Sequence, residues 1–245
     1  MIVKRNTRNA LGLPLAALLV ACGGAAAAPI GSSPTPSATP GAAPAAQPGA
    51  AAIAAELRRA TMPTAPRQAQ FTWELDEAGA RFRGRGVARY RAPDRFRLDL
   101  FGPRGETYLA AALVDETPRV PAALEQRFRL PSVGLLWAVV GVVRPPENAR
   151  LIDAATTRET LVRYDLGAEG TLEYRARGGL LQSVRRIRSG GVQESIDLGR
   201  GSDGALRTAR YRDWVAFRTL NLTLESSNDV ASFSEDIWSP PGAAR

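Results

Sequence analysis

The sequence predicts a mainly β domain with some α: a single curved antiparallel sheet of about ten strands, an incomplete β-barrel, with helices covering its concave face. Three observations predict it. Residues Arg81 to Arg91 alternate arginines with small or aromatic residues; Leu151 to Leu224 breaks into short candidate strands divided by glycines at regular intervals; and between these halves lies one wholly apolar segment, Val133 to Val143.

The first nine residues carry Lys4, Arg5 and Arg8 and no acid, and they run into an apolar stretch, Ala10 to Ala21. Twelve residues are too few for a permanent membrane helix, which takes about 20. A basic start, a short apolar run and small residues at its end read instead as a signal peptide over residues 1–21. Leu19-Val20-Ala21-Cys22 has the form of a lipobox, and Cys22 is the one cysteine of the chain. Its thiol is expected to take a diacylglycerol thioether and to anchor the protein to a membrane; a chance cysteine in an ordinary secretory signal, or an uncleaved apolar anchor, is the competing reading. No internal disulfide is available to such a chain, so its domain must be held by its core. Losing residues 1–21 lowers the basic count from 32 to 29 against 24 acids, and the net charge from +8 to +5. The balance is mildly basic. It suits anionic lipid headgroups, and nucleic acid is not an expected partner of an exported chain.

From Gly23 to Ala55 no residue is charged, and prolines stand at 29, 34, 36, 40, 44 and 48. Residues 22–52 therefore read as the lipidated cysteine and an Ala/Pro-rich flexible tether, which cannot bury enough apolar surface to offset the entropy of ordering. A coil of 28 residues spans about 30 Å, enough to hold a domain clear of the headgroups.

The domain is expected over residues 53–245. It opens with a short helix, Ile53 to Ala60, with Ile53, Leu57 and Ala60 on one face. The Arg81–Arg91 strand places Phe82, Gly84, Gly86, Ala88 and Tyr90 on its covered face, and the two glycines either let the sheet bend sharply or leave room above it. In the next strand Phe96, Leu98 and Leu100 point inward and Arg95, Arg97 and Asp99 outward to solvent. Gly102-Pro103-Arg104-Gly105 makes a turn before a third strand, Glu106 to Asp115. Pro121 to Leu130 suits a helix, with proline in its first turn and Leu124 and Phe128 four residues apart. The apolar run Val133 to Val143 has no polar face, so it must be covered on nearly all sides or cover something itself. Seven further strands follow, ending with Phe217 to Leu224, and Asp203-Gly204 is a hairpin turn signal between two of them.

Much chemistry is missing. The chain has no histidine, and its thiol is assigned to the lipid, so zinc sites and Ser-His-Asp catalysis are excluded. Adjacent acids at Asp76-Glu77, Asp115-Glu116 and Glu235-Asp236 sit at turns or strand ends, as solvated acids usually do. No catalytic residue, metal site or cofactor is expected, and the protein is not expected to be an enzyme.

The plan of lipobox, tether, entry helix, alternating strands, apolar helical interruption and return to strands resembles the LolA/LolB lipoprotein-localisation family. Local sequences carry the resemblance: Trp73 early in a first strand, Gly86-Val87-Ala88-Arg89-Tyr90, the strand Arg95 to Gly105, and Pro131 to Gly141 with Trp137. It implies an incomplete barrel closed by helices over an apolar cavity that receives acyl chains. It further implies that Phe82, Tyr90, Phe96, Leu98 and Leu100 form the sheet wall of that cavity, with Leu124, Phe128, Leu136, Trp137 and Val140 as lids. The same residues packed on one another would make an ordinary dry core. Arg104 stands where LolB carries an exposed leucine used to hand lipoproteins to the outer membrane, and a guanidinium stays among headgroups where leucine enters the acyl region. Gly23 after the cysteine resembles the signal for release to the outer membrane. The expected function is that of an envelope lipoprotein, at the outer membrane facing the periplasm, binding an acyl chain or a lipoprotein's lipid. The alternative is a structural or assembly lipoprotein using the same fold to dock an envelope protein.

Overall fold

The computed structural model describes residues 49–125 and 130–243; Cys22, the tether up to residue 48 and Phe128 lie outside them. Helix α1 (Ala50–Thr61) leads into a meander of β1 (Arg67–Glu77), β2 (Ala80–Arg91), β3 (Arg95–Phe101), β4 (Thr107–Val114) and β5 (Thr117–Arg119). Two short helices follow, α2 (Ala122–Glu125) and α3 (Val133–Ala138). A second meander comprises β6 (Arg150–Thr156), β7 (Thr160–Asp165), β8 (Thr171–Arg177), β9 (Leu180–Arg188), β10 (Gly191–Arg200), β11 (Leu206–Asp213) and β12 (Arg218–Asp229).

The twelve strands form one antiparallel sheet in the order β5-β4-β3-β2-β1-β12-β11-β10-β9-β8-β7-β6. The meanders join where β1 pairs with β12, Trp73 opposite Leu222 and Leu75 opposite Leu220. Among the described residues β5 and β6 are left as free edges, so the sheet does not close into a barrel. The two strands beyond the expected ten are the three-residue β5 and β1, which sits mid-sheet and buries Ala69, Phe71, Trp73 and Leu75 at alternate positions.

The helices differ in extent from the sequence expectation. α1 buries Ala50, Ala54 and Leu57, an i, i+4, i+7 face, and leaves Ala60 exposed. The helix expected over Pro121–Leu130 is described only as Ala122–Glu125. In the apolar run the helix stops at Ala138, and the chain turns at Gly141, where φ is +83°. The run is nevertheless covered as expected, with Leu135, Trp137, Ala138 and Val143 fully buried.

The core lies on the concave side. There α1 packs over β6, β7 and β9, and α3 over β9 and β10. Gly134 allows the approach of α3: a Cβ there would come within 2.5 Å of both the Leu172 side chain and the Tyr174 hydroxyl. The space above the β2 glycines is occupied. A Cβ at Gly84 would meet the Phe101 carbonyl oxygen at 1.8 Å, and one at Gly86 the Phe71 ring at 2.3 Å. These glycines therefore admit close packing; the Trp73 indole N–H donates to the carbonyls of both Arg85 and Phe101 beside them.

On the convex side the C-terminal segment returns over β3 and β4. Its short 3-10 helix, Glu235–Trp238, buries Trp238 completely, and Arg97 and Arg119 donate to the carbonyls of Ile237 and Trp238. The sequence expectation that Asp99 faces solvent is corrected here: it points outward but is 2% exposed, held between Arg89 and Arg97. A segment about 140 residues away covers it, which no local pattern encodes.

Candidate functional site

The connection from β5 to β6 runs from one free edge of the sheet to the other, and a cleft of about 700 Å³ lies beside it. Leu113 and Val120 line it from the β4–β5 side, Leu130, Val133 and Leu136 from the connection, and Leu166 from just beyond β7. Residues from opposite ends of the strand order thus meet across one space, so the sheet is curled far enough to face its own edges. The volume falls within the ~300–1,000 Å³ of small-molecule sites. The lining is mainly apolar, with Glu116, Ser132, Asn148 and Glu169 as its polar members.

An ion pair holds the connection against the sheet edge. Arg144 donates to Glu116 at 2.6 Å, and the same carboxylate accepts the Glu147 N–H at 3.0 Å. The Arg144 side chain is 9% exposed and lies 6.0 Å from the centre of the Trp137 ring. Charge pairing, burial and a cation–π contact together fix this strap. The Ser132 hydroxyl beside the cleft is buried, with no hydrogen-bond partner among the described residues.

A second cleft, of about 590 Å³, opens elsewhere, lined in part by Arg67, Tyr90, Val140, Arg200 and Leu206. It is more polar. Arg67 pairs with Asp229, and Arg200 donates to the carbonyls of Leu181 and Gly204, with burial lowering its pKa.

The residues expected to wall a cavity are distributed across these features. Tyr90, Phe96 and Trp137 pack on one another, Phe96 and Trp137 with ring centres 5.4 Å apart and Tyr90 and Trp137 at 6.2 Å. Leu98 and Leu100 are buried in the same core, and Leu124 is partly buried against it. Leu136 reaches the first cleft, and Val140 lines the second. Phe82 stands half-exposed near the strand end, its ring 5.5 Å from that of Tyr108. Arg104 is exposed in the β3–β4 turn; Phe128 and Cys22 lie outside the described residues. Leu113, Val120, Leu130, Val133 and Leu166 were not legible as cleft residues. The one available signal was the unbroken apolar character of the Val133–Val143 run, which demanded a cover or a cargo.

An open antiparallel sheet curled round a helical plug, with a strap across the gap between its edges, is the LolA/LolB-like fold. A LolA superfamily protein from Nitrosomonas europaea matches with a TM-score of 0.52 at 10% identity, over 78% of this chain and 97% of that one. A putative outer membrane lipoprotein-sorting protein domain from Vibrio parahaemolyticus matches with a TM-score of 0.50 at 11% identity, over 78% of this chain and 96% of that one. At such identity the likeness is one of fold. No protein-family model matches the sequence, and no curated protein matches it.

Proposed function

We propose that this protein is a non-enzymatic lipoprotein of the cell envelope, anchored by lipid on Cys22 at the outer membrane facing the periplasm, and that it binds an acyl chain or a lipoprotein's lipid. The observation that carries the reading is the apolar cleft between the free sheet edges. A sheet that stops short of closure leaves apolar side chains at its gap, and a strap of short helices closes over them without filling the space. An acyl chain removes that surface from water non-directionally, which suits a lining that is mainly apolar. The fold shared with lipoprotein-sorting structures supports the reading.

The test has two arms. Protein extracted from envelopes is analysed for co-purified acyl species and titrated with an apolar fluorescent probe; saturable binding that fatty acid displaces, and that Val133→Arg abolishes, is expected. Unchanged probe binding in a folded Val133→Arg variant overturns the assignment to this cleft. Separately, Cys22→Ser is expected to lose incorporation of labelled palmitate and to leave the membrane fraction, and retention of the label would refute the anchor.

A further inference from the structure

The β11–β12 hairpin ends in Trp214-Val215-Ala216-Phe217. Trp214 is 52% exposed, Val215 64% and Phe217 83%, the most exposed large apolar side chains among the described residues. They are presented by an ordered turn. The Asp213 carboxylate accepts the N–H groups of Val215 at 2.9 Å and Ala216 at 2.8 Å, and the Trp214 N–H donates to the Gln193 carbonyl. The Arg212 guanidinium lies 5.6 Å from the centre of the Trp214 ring. Phe217 has φ +51°, in the left-handed region where an aromatic residue is strained. Exposure of three apolar side chains and strain in the backbone are both unfavourable, and both persist at one loop tip; such a coincidence marks an interaction site.

The surroundings indicate the partner. In an antiparallel sheet the β1–β2, β3–β4, β7–β8, β9–β10 and β11–β12 turns lie at the same end. At that end Arg104 and Arg188 are exposed, and no carboxylate pairs with either among the described residues. Of the acids at that end, Asp76 pairs with Arg81, Glu77 with Arg218 and Asp165 with Arg150, Glu106 accepts the Arg104 N–H and Asp213 is bound within the tip, while Glu169 of the β7–β8 turn is exposed. Every cation after Lys4 is an arginine, whose planar fork matches phosphate oxygens and is more weakly hydrated than an ammonium. Apolar and indole groups projecting past unpaired guanidiniums are complementary to a phospholipid surface, with tryptophan at headgroup level, phenylalanine and valine below it, and arginines on the phosphates.

We propose that the β11–β12 tip is a membrane-contacting element that inserts Trp214, Val215 and Phe217 into a bilayer bearing anionic headgroups, with Arg104 and Arg188 on the phosphates. The contact is independent of the acyl cleft: it holds the rim of the sheet on a membrane whether or not the cleft is filled.

The full chain carrying Cys22→Ser is used, with one new thiol at Ala216→Cys in the tip or Ser202→Cys in the β10–β11 turn at the opposite end, each bearing an environment-sensitive dye. With vesicles of phosphatidylethanolamine and phosphatidylglycerol the dye at 216 is expected to shift to the blue and to be quenched by bromine-labelled lipid, and the dye at 202 to do neither. Replacing Trp214, Val215 and Phe217 together by serine is expected to weaken vesicle binding about a hundredfold against the otherwise identical chain, with cooperative melting unchanged. Vesicles of phosphatidylcholine alone should bind more weakly. Equal binding by the triple-serine chain, or no response at 216, overturns the proposal. So does tip-dependent capture of an envelope protein without any vesicle response, which assigns the tip to a protein partner instead.

Discussion

Replacing Asp99 by alanine removes the acceptor that holds two arginines beneath the C-terminal segment. The carboxylate accepts from Arg97 Nε and Nη2 at 2.8 Å each and from Arg89 Nη1 at 2.8 Å. Its side chain is 3% exposed, against 15% for Arg97 and 29% for Arg89. An exposed pair would contribute about 0–1 kcal/mol. Breaking a buried one costs about 3–5 kcal/mol, because the remaining charges are left without a partner in a poorly solvated place. Both arginines keep some water, so the low end, about 3 kcal/mol, is expected. For a domain of this size that corresponds to a fall in Tm of about 6–12 °C. Asp99→Asn keeps the shape and one acceptor oxygen, and should lose less. Urea unfolding followed by tryptophan fluorescence is the assay, because Arg97 also donates to the Ile237 carbonyl beside the buried Trp238. A loss for Asp99→Ala below about 1 kcal/mol would make this an ordinary surface ion pair and refute the argument.

Four further outcomes follow from the same structure. Trp137→Ala opens the aromatic centre of the core and should cost about 3–5 kcal/mol by calorimetry; a cost under about 1 kcal/mol would mean the core refills around it. Gly86→Val drives a side chain into the Phe71 ring and should destabilise by about 1–3 kcal/mol or more in urea titration. Burial pushes the phenols of Tyr90, Tyr164 and Tyr174 above their ordinary value of 10.0, and burial beside Glu194 does the same to Tyr211. The unfolded chain releases these protons near that pH while the folded one retains them, so stability holds below pH 10 and falls as pH rises beyond it. A urea midpoint that stays level there, or phenolate absorbance that appears before unfolding, would contradict this. Leu166→Arg places a charge in the cleft at a partly exposed position, and is expected to abolish apolar-probe binding with little change in Tm; undiminished binding would move the ligand elsewhere.

How much could be read beforehand is clearest in particular residues. The alternation in β2 and β3 is a property of neighbouring residues, and the inward set of Tyr90, Phe96, Leu98 and Leu100 is buried as the period of two requires. The same signal was present in β1, where Phe71, Trp73 and Leu75 alternate with Thr72, Glu74 and Asp76; that strand needed only to be sought before Arg81. The Asp203-Gly204 turn signal is likewise met, with Gly204 at φ +77° and the Asp203 carboxylate accepting the Ala205 N–H. Phe217, by contrast, reads as the start of an apolar strand, and only its place at a hairpin end shows that its side chain faces water.

The sequence by itself determined what is local or compositional: strand periods, turn positions and the lack of histidine. The tertiary structure alone decided which faces are covered and what meets what. Asp99 is buried because a segment from the far end of the chain lies over it, and the cleft exists because Leu113 and Leu166, near opposite edges of the strand order, are brought together by the curl of the sheet. Hydrophobic burial is non-directional, so an apolar residue specifies that it will be covered and leaves the partner to the path of the whole chain.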